Sequence, residues 1–82
     1  MPSSDVIILT KEQAQELNEK LSNMRHNVNN YLSLIVAASE VIRLNPSALP
    51  RMLPTFKEQP EKIISEIRNF SAEFEKTLGI KK

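Results

Sequence analysis

Apolar residues recur at alternating steps of three and four positions through the first half of the chain. After Thr10 they form one regular series: Ala14, Leu17, Leu21, Met24, Val28, Tyr31, Ile35, Ala38 and Ile42. This is the a/d spacing of a heptad repeat, and it predicts one long amphipathic helix. Thr10, followed three residues later by Gln13, matches a capping box at the helix start, and Asn45-Pro46 indicates its end. We expect helix 1 to span about residues 11–45.

The same spacing returns after a proline-rich turn. The second series is Leu49, Met52 or Leu53, Phe56, Pro60, Ile63, Ile67, Phe70, Phe74 and Thr77. It predicts a turn at about residues 46–50 and a helix 2 at about residues 51–78, with Gly79 as its stop. Pro60 lies inside the series and predicts a kink there, although a separate short helix over 47–58 is an open alternative. We expect residues 1–9 to form an extended lead-in, in which residues 5–9 are either a short strand or an apolar arm.

Two long helices joined by a short turn pack as antiparallel neighbours. The predicted fold class is therefore all-α, a long antiparallel helical hairpin over residues 10–79. In the second half of helix 1 the apolar stripe widens, because Leu32, Leu34, Val36 and Val41 join the series. One partner helix would leave much of this stripe exposed, so the pattern predicts a homodimer in which two hairpins form a four-helix bundle.

Composition removes several classes of function. The chain has 82 residues, a net charge near +1 and no block of either sign, so it lacks the basic footprint of a nucleic-acid-binding protein. With no cysteine and one histidine, a zinc site within one chain is not expected. The first residues lack the basic start of a signal peptide, and the longest apolar run is too short to span a bilayer. We expect a cytoplasmic protein without a membrane partner.

The one histidine, His26, lies at a heptad position that faces away from the apolar series. Its surroundings on the helix are neutral and rich in amides: Ser22, Asn23, Asn29, Asn30 and Ser33 at helical spacing, with Arg25 and Asn27 on either side. The five asparagines of helix 1 at positions 18, 23, 27, 29 and 30 together forgo about 3 kcal/mol of helix propensity relative to alanine. An exposed helical histidine usually has no role, but neutral amides can position water or a phosphoryl group without repelling a carboxylate.

Residues 24–32, with the sequence MRHNVNNYL, resemble the H-box of sensor histidine kinases in the variant form H-[DN]-hydrophobic-N-N-x-hydrophobic. The helical hairpins of that family, called dimerisation-and-phosphotransfer domains, pair into four-helix bundles. The resemblance implies that His26 accepts the phosphoryl group, that Asn30 positions water or the phosphoryl group, and that Asn27 belongs to the catalytic set. A partner would then contact the surrounding surface, formed by Ser22, Asn23, Arg25, Asn29 and Ser33.

Two positions depart from the family pattern, which often has an acid after the histidine and a proline five residues after it. Here these positions hold Asn27 and Tyr31. A single glycine does not provide the glycine-rich lid of an ATP-binding domain, so we expect a histidine phosphotransferase or phosphatase-like hairpin rather than a self-sufficient kinase. Its partner would be a response-regulator receiver domain that carries Mg²⁺, and this chain would hold no cofactor. The alternative is a non-catalytic helical adaptor or dimerisation module that binds a kinase or a receiver without phosphoryl chemistry.

Overall fold

The computed structural model describes residues 6–79. Residues 1–5 of the predicted lead-in lie outside that range. Helix α1 spans Lys11–Leu44, a single 3₁₀ turn spans Pro46–Ala48, and helix α2 spans Leu49–Leu78. Residues 6–10 form neither helix nor strand. The prediction of an all-α helical hairpin is confirmed for the described residues. No separate helix forms over 47–58, because α2 runs without interruption through Pro54 and Pro60.

Side chains and backbone cap the start of α1 and the end of α2 as the sequence predicts. The backbone N–H of Gln13 donates to the Thr10 hydroxyl over 3.0 Å, and the backbone N–H of Thr10 donates to the Gln13 side-chain oxygen over 2.9 Å. This capping box satisfies two groups that the first helical turn leaves unpaired. At the end of α2, which lies at the same open end of the hairpin, Gly79 takes a left-handed φ of 73°, a conformation that only glycine adopts without strain.

Three polar contacts join the two helices and fix their antiparallel register. Lys20 Nζ lies 2.7 Å from Glu73 Oε1, Asn27 Nδ2 lies 3.2 Å from Glu66 Oε1, and Lys62 Nζ lies 5.9 Å from the centroid of the Tyr31 ring. In each contact the two residue numbers add up to 93, as one continuous antiparallel alignment requires. The contacts therefore define a line along which α1 and α2 meet.

The hairpin has one polar side and one apolar side. Leu21 directly follows Lys20, Val28 follows Asn27, Ile67 follows Glu66, and Phe74 follows Glu73. The contact residues that precede them lie on one side of the contact line, which we call the polar side. Consecutive helical residues are about 100° apart around the helix axis, so the residue that follows each of these lies on the other side of the line. We call this opposite surface the apolar side; by heptad spacing it consists of Leu21, Val28, Leu32, Val36, Leu53, Ile64, Ile67 and Phe74. All of these except Val28 are exposed.

The four residues predicted to widen the stripe along helix 1 lie on both sides of the contact line. Leu34 and Val41 follow Asn27 by seven and fourteen residues, so they lie on its side of the contact line, which is the polar side. Leu32 and Val36 lie on the apolar side. The four residues that the sequence pattern joined into a single stripe thus face two different directions, and one packing partner cannot cover all of them.

The described residues bury very little. Only Ala38, Ala48 and Gln59 are buried. The side-chain oxygen of Gln59 has no hydrogen-bond partner within residues 6–79. The hairpin measures 62 × 24 × 14 Å, and its smallest dimension is close to the diameter of one helix with its side chains. The two helices therefore form a single layer with two open faces.

The Lys20–Glu73 contact predicts a defined loss of stability in acid. The hydrogen bond and charge of Lys20 lower the pKa of Glu73 below its usual value. A carboxyl group whose pKa is lowered by folding stabilises the fold above its usual pKa, and this contribution disappears as the pH falls through the folded-state pKa.

We expect Glu73→Gln to lose less thermal stability than the native chain between pH 7 and pH 3, as measured by circular dichroism. Glu61→Gln, which alters an exposed residue outside the described ion pairs, is the control and should show the full native loss. Identical pH profiles for Glu73→Gln and the native chain would contradict this assignment.

Candidate functional site

His26 lies on the surface of α1 that turns away from α2. The residues two before and two after it, Met24 and Val28, are half-buried towards α2, whereas His26 is exposed. With about 100° between consecutive residues, a position midway between two inward residues points outward. The structure thus places the imidazole at the surface, as its heptad position leads one to expect.

Asn30 lies one helical turn after His26, and the two side chains are in contact. The Asn30 amide nitrogen Nδ2 is 3.4 Å from His26 Nε2, at the long end of hydrogen-bond distances. When this amide donates, Nε2 carries the lone pair and the ring proton is on Nδ1. A neutral imidazole in that tautomer is a nucleophile, and the amide that orients it lies next to its reactive nitrogen.

Asn27 has a different environment from its neighbours. It is half-buried, and its amide donates to Glu66 across the helix contact over 3.2 Å. The structure therefore brings His26 and Asn30 together but holds Asn27 against α2. The contact also gives a physical reason for an amide at this position, because an aspartate here would place two carboxylates face to face.

The remaining predicted contact residues are exposed and differ in direction. Asn23 borders an open groove of about 190 Å³ on the polar side, whose other lining residues are Lys20, Met24, Glu66, Asn69, Phe70 and Glu73. Ser22, Asn29 and Ser33 extend along the outer surface of α1 on either side of His26. Arg25 is exposed and forms no ion pair with another residue of 6–79. The predicted contact set thus covers the outer surface, one edge of the groove and, through Arg25, which repeats the heptad position of Leu32, the apolar side.

Sequence reasoning missed a surface that begins one turn beyond Asn30. Four exposed apolar residues lie there at steps of three, four and three: Leu34, Ala37, Val41 and Leu44. We call this surface the distal stripe. The signal was present in the sequence, because Leu34 and Val41 repeat the heptad position of Asn27, while Ala37 and Leu44 repeat that of Asn30.

Other kinds of site find little support within residues 6–79. This range contains no cluster of three His, Cys, Asp or Glu side chains arranged to hold a metal ion. Neither of its two long helices is apolar enough to cross a bilayer. Comparisons with protein-family models, with curated proteins and with solved structures gave no match for this chain. The geometry around His26 and the short resemblance at residues 24–32 are therefore the basis for a functional interpretation.

The Asn27–Glu66 contact can be tested by exchanging donor and acceptor. We expect Asn27→Asp to destabilise the hairpin by about 1 kcal/mol at pH 7, because a donor is lost and two carboxylates oppose each other. Adding Glu66→Gln should restore most of that loss, since the new amide can donate to the new carboxylate. Equilibrium urea unfolding at one fixed protein concentration measures both effects. Asn18→Asp, at an exposed α1 asparagine, is the control. If the double variant is no more stable than Asn27→Asp alone, the two side chains do not interact as described.

Proposed function

We propose that this chain is a histidine phosphotransfer or phosphatase-like hairpin of two-component signalling. It would exchange a phosphoryl group with the receiver domain of a response regulator through His26. The observation that carries the proposal is the exposed imidazole, whose Nε2 lies 3.4 Å from the Asn30 amide. The H-box-like sequence at residues 24–32 supplies the reaction class, and a cytoplasmic location fits such a module.

The proposed transfer starts from a receiver phosphorylated on an aspartate. The Asn30 amide first gives up its hydrogen bond to His26 Nε2. The freed lone pair of Nε2 then forms a bond to phosphorus while the phosphorus–oxygen bond to the aspartate breaks, and that electron pair leaves with the carboxylate. The reverse step returns the phosphoryl group to the receiver. In the phosphatase-like mode, Asn30 holds a water molecule whose oxygen attacks phosphorus in place of the imidazole; the phosphorus–oxygen bond to the aspartate breaks as before, and a proton of the water stays on the released phosphate. Mg²⁺ bound by the receiver would offset the phosphoryl charge in both modes, so this chain needs no cofactor of its own.

The electrostatics of the outer surface support the approach of an acidic partner. Between Ser22 and Ser33, α1 contains no acidic residue, and Arg25 is its one fully charged side chain. Glu66 and Glu73 of α2 lie on the polar side and are engaged by Asn27 and Lys20. On the outer surface, Glu19 is exposed two turns before His26 at the same heptad position. A receiver pocket centred on His26 and Asn30 would therefore meet amides and hydroxyls, with Glu19 as a like charge two turns away.

We further propose that two copies pack through their apolar sides to form a four-helix bundle. A single layer that buries only three of its described residues leaves the apolar side open to water, and a second identical layer covers it with matching residues. His26 points away from α2 and is not part of the apolar side, so both histidines of the homodimer would remain accessible.

A second candidate function is a non-catalytic adaptor that binds a receiver or a kinase. One observation favours it: Asn27 replaces the acid that commonly activates the histidine in the family, and its side chain is engaged with Glu66. In this case the His26 surface would provide contacts only.

A phosphotransfer assay distinguishes the two functions. When a phosphorylated receiver is mixed with the native chain, we expect its label to move to His26 or to inorganic phosphate. His26→Ala should abolish transfer to the chain, and Asn30→Ala should slow loss of label by about tenfold or more, because a donor next to the reacting atoms is removed. Asn18→Ala, which alters an exposed asparagine two turns before His26, is the control and should behave as the native chain. Receiver binding that survives His26→Ala, with no movement of label in the native chain, would select the adaptor.

Paired substitutions test the homodimer. Light scattering coupled to gel filtration should give twice the 9.4 kDa chain mass for the native protein. Leu32→Glu combined with Ile67→Glu should give the monomer mass, because each substitution places a charge in the apolar interface. Leu34→Glu is the matched control: Leu34 is 51% exposed and Leu32 45%, but the two lie on opposite sides of the contact line. A native monomer, or a dimer that survives the double substitution, would contradict this arrangement.

A further inference from the structure

Polar contacts hold only one part of α2 against α1. The three contacts that join the helices involve Lys62, Glu66 and Glu73 of α2. No side-chain hydrogen bond or ion pair within residues 6–79 joins the first part of α2, residues 49–60, to α1. We call residues 49–60 the proline segment. Apart from its covalent link to the turn, packing alone holds this segment against α1.

The proline segment is also weakly stabilised within its own helix. Its N-cap residue, Ala48, forms no side-chain hydrogen bond, and the first turn contains no acidic residue. Pro54 and Pro60 have no N–H, so the carbonyl groups of Pro50 and Phe56, four residues before them, lack the usual helical donor. Beyond Pro60 the helix contains no further proline. The helical hydrogen bonding of α2 is therefore interrupted within the proline segment and regular after it.

Gln59 opposes the packing of the proline segment against α1. It is 6% exposed, and its Oε1 has no hydrogen-bond partner within residues 6–79. An amide oxygen that loses water without gaining a donor destabilises the arrangement that buries it. Ala38 and Ala48, the buried apolar residues of the described range, lie in the same half of the hairpin and favour that arrangement. The closed position thus has a cost that an open position would not have.

The proline segment contributes to the surface on which a second copy is proposed to pack. Leu53 repeats the heptad position of Ile67 and Phe74, so it belongs to the apolar side, and it is 54% exposed. A second copy on that side contacts Leu53 only while the proline segment lies against α1. Binding to one of two conformations shifts the equilibrium towards it. Dimerisation therefore favours the closed position.

From these observations we propose that the proline segment is a flap that opens at Pro60 and that a second copy holds closed. The inference rests on the proposed homodimer and adds a conformational change that is linked to it. In the single chain the flap opens repeatedly, which hydrates Gln59 Oε1. In the dimer, Leu53 packs on the second copy and keeps the flap on α1.

The flap moves independently of the candidate site. The Asn27–Glu66 contact, which sets the rotation of α1 next to His26, lies beyond the hinge at Pro60. Opening of residues 49–60 leaves this contact in place. The exposed imidazole and the Asn30 amide therefore keep their geometry in both positions of the flap.

Hydrogen exchange of the full chain, followed by mass spectrometry, measures the opening. In the native chain we expect the backbone amides of residues 55–59 to exchange about tenfold or more faster than those of residues 63–72, because only the first stretch opens locally. Dilution that lowers the dimer fraction should speed exchange at residues 55–59 further. The monomeric variant that combines Leu32→Glu with Ile67→Glu should show the fastest exchange there, without dependence on concentration, although neither substitution lies in the flap.

Substitutions of Gln59 test what drives the opening. Gln59→Leu and Gln59→Met replace the amide by apolar groups of similar size, so each should slow exchange at residues 55–59 by about tenfold. Lys57→Leu is the matched control, because it adds a leucine to the same segment at an exposed position, and its exchange should equal that of the native chain. Both Gln59 variants should exchange phosphoryl groups through His26 at the native rate.

Different results would contradict different parts of the proposal. Equal exchange at residues 55–59 and 63–72 would show that no flap opens. Native exchange in both Gln59 variants would show that the buried oxygen does not drive the opening. Exchange at residues 55–59 that is independent of concentration, or a native chain that is always monomeric, would show that no second copy closes the flap. Absence of phosphoryl transfer in a chain whose flap behaves as expected would reject the proposed chemistry alone.

Discussion

A layer one helix thick can bury only the narrow strip where its two helices meet, and every other property of this hairpin follows from that constraint. Along the strip the space is so limited that two of the three buried residues within 6–79 are alanines, Ala38 and Ala48. The two broad faces of the layer remain in water. Their composition therefore determines where further chains pack and where a reactive side chain remains accessible.

The polar contacts between the helices lie on one face of the layer and distinguish it from the apolar face. Surface pairs of this kind contribute little stability individually, but Lys20–Glu73 and Asn27–Glu66 both lie on the same side of the contact line. They thereby turn the apolar residues that follow them in sequence to the opposite side. The same geometry reaches the candidate site, because the anchoring of Asn27 against α2 sets the rotation of α1 at that level. His26, one residue earlier, is consequently held about 100° away, on the outer surface.

Periodicity predicted the helices, their ends and the outward direction of His26, since all of these depend on spacing within one helix. The division of the wide apolar stripe was also present in the spacing, because Leu32 and Leu34, two positions apart, lie on opposite flanks of the apolar series. What each flank meets was not predictable in this way, since it depends on where α2 runs. Likewise, the role of Asn27 depends on Glu66, which lies 39 residues further along the chain and meets it only in the folded register. The spacing of residues within one helix can be read from a single segment of sequence. The contacts between α1 and α2 join residues that are far apart in the chain and cannot be read in that way.

The separation of the two apolar surfaces has a consequence for assembly. On α1 the apolar side and the distal stripe face away from each other, so a second copy packed on the apolar side would leave the distal stripe uncovered. A homodimer would then display two outward imidazoles, each with its own stripe beginning one turn beyond Asn30. Neither site would need a residue from the other copy, because His26, Asn30 and the stripe all belong to a single helix. Dimerisation would thus cover apolar surface that is remote from the chemistry, and each α1 would act on its partner independently.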